Sequence, residues 1–389
     1  MKRIYKFIYL APQPGQYYAP LFKKISDHFD GNFIVYYQRD LATYKPTYDK
    51  EFGRKIKWDV PLLEGYKYKF LKKKVWDVIN QLKQDEPDVI IVHGWSLLVD
   101  WVVFLYAKLK GLKIFLRGEN PMNQELKKPK WKLWIKKIIL GKILFPTIKV
   151  FLYIGKQNKK FYKHYGVLGK KLFFTPYSVN NEYFQKAAQD LRFKRQNLRS
   201  DLDIKEGSVA ILFVGKLIPK KRPFDLLKAF QILATNHLLP AIHLIYVGSG
   251  KLEKDLKEHV EKYNLKNIHF VGFKNQTELP EYYTMADIFV LPSGIGETWG
   301  LVINEAMNFR LPVIVSDIVG SSDDLVIDDE NGYKFKLGDI DDLTKKIINL
   351  INDKKKRKKF GEKSFEIVSK YSCKKDVEGI LEALKSILD

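Results

Sequence analysis

Cysteine is nearly absent from this sequence, which contains only Cys373 among its 389 residues. A single thiol excludes an internal disulfide framework and a cysteine-rich metal site. A reducing compartment is therefore the natural environment. The seven histidines show no ligand spacing, so we expect no bound metal. Two Asp-x-Asp pairs, at 201–203 and 339–341, lie in a polar segment and after a turn, and we interpret both as chance.

Long hydrophobic runs are also missing. The apolar stretch LLVDWVVFLYAKL is interrupted by Asp100 and Lys108, and no run approaches the roughly 20 residues that a membrane-spanning helix needs. The N-terminal stretch MKRIYKFIYLAPQPGQ lacks the length and cleavage site of a signal peptide and is typical of a buried first strand. We therefore expect a cytoplasmic protein.

Acidic residues are few relative to basic ones: 45 Asp and Glu stand against 68 Lys and Arg, a net charge of +23 at pH 7. Such an excess favours nucleic acid, anionic lipid or phosphorylated ligands as partners. The alternative is a base-composition bias that scatters lysines over the surface. No RNP, KH, zinc-finger or helix-turn-helix motif is present, so we expect no specific nucleic-acid partner.

What the sequence does contain is a regular alternation of short apolar segments and helical patterns. The alternation runs from IYKFIYLAP to LFFTPYSV, stops over a polar segment, and restarts at SVAILFVGKL. This pattern predicts an α/β protein with two doubly wound, Rossmann-like domains. We place an N-terminal domain at 1–190, a linker at 191–206, a second domain at 207–365 and a C-terminal helical segment at 366–389.

Ligands of doubly wound sheets bind beyond the carboxyl ends of the strands, so the loops that follow strands are the places to examine. In FVGKLIPKKRPF, Gly215 allows the chain to turn, Lys216 emerges at the strand tip, and Lys221 belongs to a basic cluster before a helix start. This arrangement predicts an anion site for a phosphate; the alternative is a solvated basic loop. A second glycine turn, at Gly248 in YVGSGKLEKDL, allows close backbone approach but completes neither a dinucleotide motif nor a P-loop.

The most informative loop is SGIGETWGLVINEAM, which carries Glu297 in a glycine-rich turn and Glu305 inside the following helix. Carboxylates repel phosphate but accept hydrogen bonds from hydroxyl pairs. Two acids about 12 Å apart along a helix, with unpaired N–H groups between them, suit a sugar–diphosphate–ribose ligand. Taken alone, each glutamate is more simply a structural residue. The expected backbone contacts are at Gly296, Thr298, Trp299, Gly300 and Leu301.

Together these motifs resemble a GT-B glycosyltransferase of family 4, the glycosyl transferases group 1 type. GETWGLVINEAM resembles its E-x7-E motif, and FVGKLIPKKRP resembles its strand–loop motif. NIHFVGF, LPEYYTMADIFVLPS and NGYKF follow in the family's order. The resemblance is strong over the C-terminal half and looser over the N-terminal half. It implies two domains facing each other across a cleft, with the final helix crossing back to the N-terminal domain.

The same resemblance implies the reaction. It is the retaining, metal-independent transfer of a hexose-type sugar from a UDP or GDP sugar, with no cofactor. The acceptor is expected to be a glycan or a lipid-linked glycan in cell-surface polysaccharide synthesis, such as lipopolysaccharide or capsule. Carried over by position, Lys216 and Lys221 would bind the leaving diphosphate, Glu297 the donor sugar and Glu305 the ribose hydroxyls. The remaining donor contacts would be the base at Phe273 and Lys274 and the diphosphate at Gly15.

Two departures from the family pattern concern the acceptor side. The N-terminal loop has one glycine, Gly15, where many relatives have two. Arg117 stands where many relatives have a histidine. Because arginine stays protonated, it cannot be a general base, but it could hold a phosphate or an acidic acceptor. We therefore count Arg117 among the candidate catalytic residues. Glu119 is a further polar candidate, and His93 either lines the acceptor side or is a structural histidine.

A basic, aromatic segment at 124–145 predicts an amphipathic helix. Trp131, Trp134 and Phe145 fall on one side of a helical wheel, and Lys132, Lys136 and Lys137 on the other. Such a helix suits an anionic membrane surface at the inner face of the membrane; the alternative is a helix packed on its own domain. Lys67, Lys69 and 72–74 form a second basic stretch.

Two other functions stay open. A nucleotide-sugar epimerase or hydrolase on the same fold would change or release the sugar without an acceptor. A non-enzymatic nucleic-acid binder is suggested only by the charge. No feature of the sequence specifies the oligomeric state.

Overall fold

The computed structural model describes residues 5–29, 31–38, 47–49, 51, 53–71, 75–235 and 241–387. In chain order the strands are β1 Phe7–Ala11, β2 Phe33–Tyr37, β3 Thr47–Asp49, β4 Arg54–Ile56, β5 Lys67–Phe70, β6 Val89–His93, β7 Lys113–Gly118, β8 Val150–Tyr153, β9 Leu172–Phe174, β10 Val209–Val214, β11 Ile242–Val247, β12 Ile268–Gly272, β13 Ile288–Leu291, β14 Val313–Ser316 and β15 Gly332–Phe335. The basic stretch predicted at 72–74 lies outside the described residues.

The α-helices connect these strands. They are α1 Ala19–His28, α2 Val75–Asp85, α3 Leu98–Lys110, α4 Met122–Glu125, α5 Lys130–Lys136, α6 Lys156–His164, α7 Asn181–Leu191, α8 Arg195–Ser200, α9 Pro223–Ala234, α10 Glu253–Lys262, α11 Leu279–Met285, α12 Leu301–Asn308, α13 Ser322–Leu325, α14 Ile340–Ile351, α15 Lys354–Ser369 and α16 Cys373–Lys385. A π-helix at Lys137–Leu144 continues α5, and 3-10 turns lie at Phe145–Thr147, Gly169–Lys171, Arg192–Lys194 and Pro219–Lys221.

The chain forms two compact units. Unit 1 comprises Met1–Thr47, Val60–Asn180 and Ser372–Asp389, and unit 2 comprises Tyr48–Asp59 and Asn181–Tyr371. The segment predicted as a linker, 191–206, is largely helical and belongs to unit 2. The final helix, α16, lies in unit 1, and the Tyr48–Asp59 segment, which the sequence pattern assigned to the N-terminal domain, lies in unit 2.

Unit 1 is built on a parallel sheet in the order β5-β2-β1-β6-β7-β8-β9. Its interior strand β1 reads FIYLA, and all five residues are buried. A strand buried on both faces is a continuous apolar run, which is why this segment stood out in the sequence. Because β1 lies between β2 and β6, the strand order reverses there, and the loops after β1 and β6 border the crevice where doubly wound sheets bind ligands.

Unit 2 contains a parallel sheet in the order β12-β11-β10-β13-β14-β15. Its central strand, β10, reads VAILFV with all six residues buried, and it pairs with β11 on one side and β13 on the other. The strand order therefore reverses between β10 and β13, and the loops after these strands border the crevice of this sheet. These are the loops that carry Lys216, Lys221 and Glu297, so the topology places the predicted phosphate and sugar residues together.

Candidate active site

The loop after β10 begins with a close backbone crossing. Gly215 has φ +154°, and a Cβ on Gly248, which follows the neighbouring strand β11, would lie 1.9 Å from the carbonyl oxygen of Gly215. Only glycine fits at Gly248, so the packing of two loops explains this residue without a ligand. The crossing directs the chain toward the short 3-10 turn that ends at Lys221.

Lys221 and Glu297 form an ion pair at the crevice between β10 and β13. Glu297 is buried, and although burial acts to raise its pKa, the charge and hydrogen bond of Lys221 lower it below the usual value. Lys220 contributes in the same direction. The structure thus brings together two residues that lie 76 positions apart in the chain. At the carboxyl ends of the strands, the lysine of such a pair can bind an anionic group and the carboxylate can accept hydrogen bonds from sugar hydroxyls.

Lys216 already has two carboxylate partners. Its Nζ lies 2.9 Å from Asp49 Oδ2 and 2.7 Å from Glu51 Oε2. Lys216 lowers the pKa of Glu51 through a hydrogen bond and through its charge. Both acids belong to the Tyr48–Asp59 segment of unit 2. We call this segment the acidic strap after Asp49 and Glu51, although it also contains basic residues. The strap therefore holds carboxylates at the lysine for which the sequence predicted a diphosphate contact.

The acidic strap also reaches the predicted base site. Trp58 lies against Phe273, with 6.3 Å between ring centroids. The side-chain amide of Asn275 donates to the carbonyl of Lys57 at 2.9 Å, and the main-chain N–H of Thr277 donates to Asp59. Lys274 pairs with Glu278 at 3.2 Å. Nucleotide contacts at Phe273 and Lys274 remain a prediction, and they concern a surface that Trp58 contacts in this structure.

The glycine-rich loop after β13 starts α12. Gly300 has φ +90°, a left-handed conformation that favours glycine. In the described part of the chain, the N–H groups of Thr298, Gly300 and Leu301 donate no hydrogen bond, as expected for the first turn of a helix. The Trp299 side chain is buried and its indole N–H donates to Asn304 at 2.9 Å. Trp299 can therefore offer a ligand only its main chain.

Glu305 is not open to a ligand in this structure. Its side chain is fully buried on α12, and its Oε2 accepts a hydrogen bond from Tyr283 at 2.6 Å. The predicted contact of Glu305 with the ribose hydroxyls therefore stays a prediction, and in this structure the carboxylate lies against Tyr283 of α11. The helical period showed that Glu305 shares a face with apolar residues, but it did not show which neighbour covers that face.

Unit 1 carries a polar network at the carboxyl ends of β1, β6 and β7. His93 Nε2 lies 3.1 Å from Glu119 Oε1, and Tyr18 donates to the same oxygen at 2.5 Å. Tyr9 lies 2.9 Å from His93 Nδ1. Burial acts to raise the pKa of Glu119, but His93 and Tyr18 lower it to about 2. Sequence reasoning selected His93 and Glu119 and missed both tyrosines, although Tyr18 belongs to the QYY run of the first loop.

Gly15 lies in the loop that precedes α1. Its carbonyl accepts hydrogen bonds from the N–H groups of Tyr18 and Ala19, each at 3.0 Å. A Cβ at this position would meet the Tyr18 ring at 3.7 Å, an ordinary contact, so the local packing does not require glycine here. The predicted diphosphate contact of Gly15 stays a prediction.

Arg117, predicted among the catalytic residues, is buried in an ion pair within unit 1. Its guanidinium is buried and lies 2.8 Å from a carboxylate oxygen of Asp376 on α16. Burial acts to lower the pKa of Arg117, but the Asp376 carboxylate raises it above its usual value. Burial raises the pKa of Asp376, and Arg117 opposes that shift. Because both groups are enclosed and paired, Arg117 links β7 to α16, and its predicted contact with a phosphate or an acceptor stays a prediction.

The basic, aromatic segment has a different exposed face from the predicted one. Leu140, Leu144 and Phe145 are buried, so the predicted position of Phe145 on a membrane-facing side is wrong. Lys136 Nζ lies 2.7 Å from the buried Glu125 and so faces the protein. Lys132 and Lys137 are exposed. The exposed large apolar residues are Leu126, which precedes α5, and, on α5 and the π-helix, Trp131, Trp134, Ile135, Ile139 and Ile143.

Among the described residues, no group of three or more His, Cys, Asp or Glu side chains could hold a metal ion. Likewise, within the described part of the chain, no helix has the length and apolar character to cross a bilayer.

Comparisons with known proteins identify the class. Residues 194–367 match the family described as Glycosyl transferases group 1. The chain is 31% identical over 289 residues to the UDP-Gal:alpha-D-GlcNAc-diphosphoundecaprenol alpha-1,3-galactosyltransferase of Escherichia coli, a match that covers 74% of this chain and 69% of that protein. It is also 33% identical over 178 residues to an uncharacterized glycosyltransferase of Methanocaldococcus jannaschii, covering 46% of this chain and 48% of that protein. The chain belongs to the glycosyl transferases group 1 family.

Solved structures support the fold. The glycosyltransferase from Rickettsia africae ESF-5 superposes with a TM-score of 0.77 at 16% identity, covering 99% of both chains. Anabaena HepE, solved in complex with UDP and glucose, superposes with a TM-score of 0.70 at 15% identity, covering 98% of this chain and 100% of that chain. These likenesses confirm the predicted GT-B fold class, as does the parallel order of both sheets.

Proposed function

We propose that this glycosyltransferase catalyses the retaining, metal-independent transfer of a hexose-type sugar from a nucleotide-diphosphate sugar to a glycan or lipid-linked glycan in cell-surface polysaccharide synthesis. The observation that carries the proposal is the pair of partly buried Lys221 and buried Glu297 at the strand-order reversal of unit 2. UDP is the favoured nucleotide over GDP. The E. coli relative is described as a UDP-Gal-dependent enzyme, and HepE binds UDP and glucose.

In the proposed reaction, the bond between the sugar C1 and the diphosphate oxygen breaks, and an acceptor hydroxyl oxygen forms a bond to C1 on the same face. The acceptor proton passes to the leaving phosphate oxygen, so no protein base is required. Lys221 neutralises the negative charge that grows on the diphosphate, and such stabilisation is usually the largest contribution of a protein to catalysis. Glu297 accepts hydrogen bonds from donor-sugar hydroxyls, and the unpaired N–H groups at Thr298, Gly300 and Leu301 receive the anion.

His93 and Glu119 are proposed to contact acceptor hydroxyls, since a carboxylate with a pKa of about 2 remains an acceptor at neutral pH. The neighbouring tyrosines, Tyr9 and Tyr18, hold these two side chains in place. Glu305 is proposed to accept hydrogen bonds from the ribose hydroxyls, with Tyr283 as its neighbour in the structure.

The test is calorimetric titration with UDP, GDP, ADP and CMP in the presence of a chelator, followed by transfer with the matching nucleotide sugar. We expect one diphosphate to bind and the sugar to keep its anomeric configuration in the product, which NMR spectroscopy reports. Inversion at C1, or a strict requirement for a divalent cation, would overturn the mechanism. An isomerised or hydrolysed sugar without acceptor would favour the epimerase or hydrolase alternative.

We also propose that the exposed face of Trp131, Trp134, Ile135, Ile139 and Ile143 lies on an anionic membrane surface, with Lys132 and Lys137 near the headgroups. Both tryptophans are more than 60% exposed, an arrangement that suits the interface between lipid and water. This would make the protein a peripheral protein at the cytoplasmic face.

Liposome sedimentation tests this surface. The change Trp131→Ala with Trp134→Ala should reduce binding to anionic vesicles severalfold, whereas Trp76→Ala, which removes a tryptophan that is 72% exposed on α2, should not. Equal binding by all three proteins would mean that this face does not contact lipid.

A further inference from the structure

Unit 2 contains a cavity at the opposite ends of its strands from Lys221 and Glu297. It has a volume of about 560 Å³ and is lined by the ends of α7, α11 and α12 and by the first turns of α15. It lies at Asp287 and at Leu311 and Pro312, which immediately precede β13 and β14. The cavity is therefore at the amino ends of the strands, whereas Lys221 and Glu297 lie at the carboxyl ends. A cavity of this size is within the range of small-molecule sites.

Its lining is strongly cationic. Six basic side chains and one acidic side chain line the cavity. The acid, Asp287, is already paired with Arg195 at 2.7 Å and with Arg199 at 3.0 Å, so it does not balance the remaining cations. The basic residues are Arg192, Arg195, Arg310, Lys354, Arg357 and Lys358.

Several of these cations lack anionic partners. Among the described residues, Lys354, Lys358 and Arg192 form no ion pair. Arg310 makes one long pair, 3.4 Å to the exposed Glu362, and its guanidinium stacks on Phe365 at 3.8 Å. Stacking fixes the plane of a guanidinium and leaves its edge free to donate hydrogen bonds to an anion. The cavity thus presents several cations without a matching anion.

The basic residues at the start of α15 lie at the N-terminal end of the helix, where positive charge is unfavourable. The helix begins with KKKRKK over residues 354–359. Cations in the first turn interact unfavourably with the positive end of a helix dipole. Burial lowers the pKa of Arg357, and the positive charges of Arg195 and Arg199 act in the same direction. The carboxylate of Asp287 acts in the opposite direction but does not reverse the shift. A bound anion would relieve this repulsion.

We propose that this cavity is a second ligand site that binds a phosphorylated sugar. Lys354, Lys358, Arg192 and Arg310 would hold the phosphate, and the amides of Gln185 and Gln189, which also line the cavity, would bind sugar hydroxyls. The choice of a sugar among phosphate esters rests on the proposed function. The ligand is either a free sugar phosphate or a phosphate group within a glycan chain. Nucleic acid and membrane are less suited, since the cations converge on a concavity.

A matched pair of charge reversals tests the site. The double change Lys354→Glu and Lys358→Glu alters the cavity, whereas Lys355→Glu and Lys359→Glu makes the same change in charge on exposed residues of the same helix that do not line it. Calorimetric titration would use glucose 1-phosphate, glucose, inorganic phosphate and a glycan oligomer with sugar-phosphate repeats. Circular dichroism would establish that both variants are folded.

We expect saturable binding of glucose 1-phosphate, weakened at least tenfold by the cavity variant and less than twofold by the control. Saturating UDP should not displace the ligand. Tighter binding of the oligomer than of glucose 1-phosphate would show that the site takes a phosphate group within a glycan chain. Tighter binding of glucose 1-phosphate would show that it takes a free sugar phosphate. Equal weakening in both variants, equal affinity for inorganic phosphate, or displacement by UDP would overturn the proposal. Calorimetry measures binding and needs no catalysis. A protein that bound the ligand but transferred no sugar would therefore contradict the proposed function and not the second site.

Discussion

At the scale of single residues, the Lys221–Glu297 pair is the most direct link between structure and chemistry. Removing one member breaks the ion pair and removes a contact that we assign to the donor. We expect Lys221→Ala and Glu297→Gln each to lower kcat/KM for sugar transfer by about 10²–10³-fold, the magnitude found when a charge-stabilising group is lost. Steady-state kinetics with the donor identified by titration is the measurement.

The control is Lys228→Ala, which removes an exposed lysine from α9 and should leave kcat/KM within twofold. The double variant Lys221→Ala with Glu297→Gln should be little worse than either single variant, because the two side chains act as a unit. Multiplicative losses would mean that the residues act separately.

For the Arg117–Asp376 pair, the prediction concerns the free energy of unfolding. Replacing Arg117 by Met leaves the Asp376 carboxylate buried without its partner, a change that typically costs about 3–5 kcal/mol. Replacing both, Arg117→Met with Asp376→Leu, should recover much of the loss, because no buried charge remains. Urea unfolding at pH 7 gives the free energies of unfolding. If the single variant lost less than about 1 kcal/mol, the pair would be behaving as an exposed one, contrary to its burial.

At the scale of elements, the acidic strap competes with the proposed substrate. Asp49 and Glu51 hold Lys216 at 2.9 and 2.7 Å, and a diphosphate would have to displace them. Partly exposed ion pairs are worth about 0.2–1 kcal/mol each. We therefore expect Asp49→Asn with Glu51→Gln to tighten UDP binding by about threefold to tenfold, measured by calorimetric titration.

The matched control for the strap is Glu258→Gln with Glu261→Gln, two exposed acids on α10 of the same unit. It changes the net charge equally and should leave the affinity for UDP nearly unchanged. Weaker binding in the strap variant would contradict the prediction and show that the two carboxylates support the site by positioning Lys216.

The elements also show how far the sequence could predict this protein. Strands such as VAILFV were visible because burial on both faces leaves an unbroken apolar run, and glycine loops after strands indicated the crevice of unit 2. The meeting of Lys221 and Glu297 follows from the parallel sheet, since β10 and β13 are neighbours.

Other features depend on contacts that no local pattern encodes. Asp49 reaches Lys216 from 167 residues away, and Arg117 meets Asp376 across 259 residues. The burial of Glu305 depends on Tyr283 of another helix. The wheel drawn for 124–145 assumed an α-helix throughout, but the chain widens into a π-helix at Lys137–Leu144, which changes the residues that share a face.

At the scale of the whole molecule, the net charge of +23 sets the response to salt. Like charges destabilise a compact state by mutual repulsion, and screening shortens the reach of that repulsion from about 30 Å at 0.01 M salt to about 8 Å at 0.15 M. We expect the melting temperature to rise as sodium chloride increases over this range, measured by circular dichroism. A fall would mean that ion pairs such as Lys221–Glu297 outweigh the repulsion.

The same titration separates general screening from a specific ligand, because screening depends on ionic strength alone, whereas a ligand that binds only the folded state adds a stabilisation that saturates with its concentration. At constant ionic strength, glucose 1-phosphate should therefore raise the melting temperature further than chloride. The additional rise should be lost with Lys354→Glu and Lys358→Glu but kept with Lys355→Glu and Lys359→Glu, although both variants lower the net charge equally. If both variants lost the additional rise in melting temperature, the basic residues would be acting together through their net charge and not as a specific site. A base-composition bias would then be a sufficient explanation of the excess of basic residues.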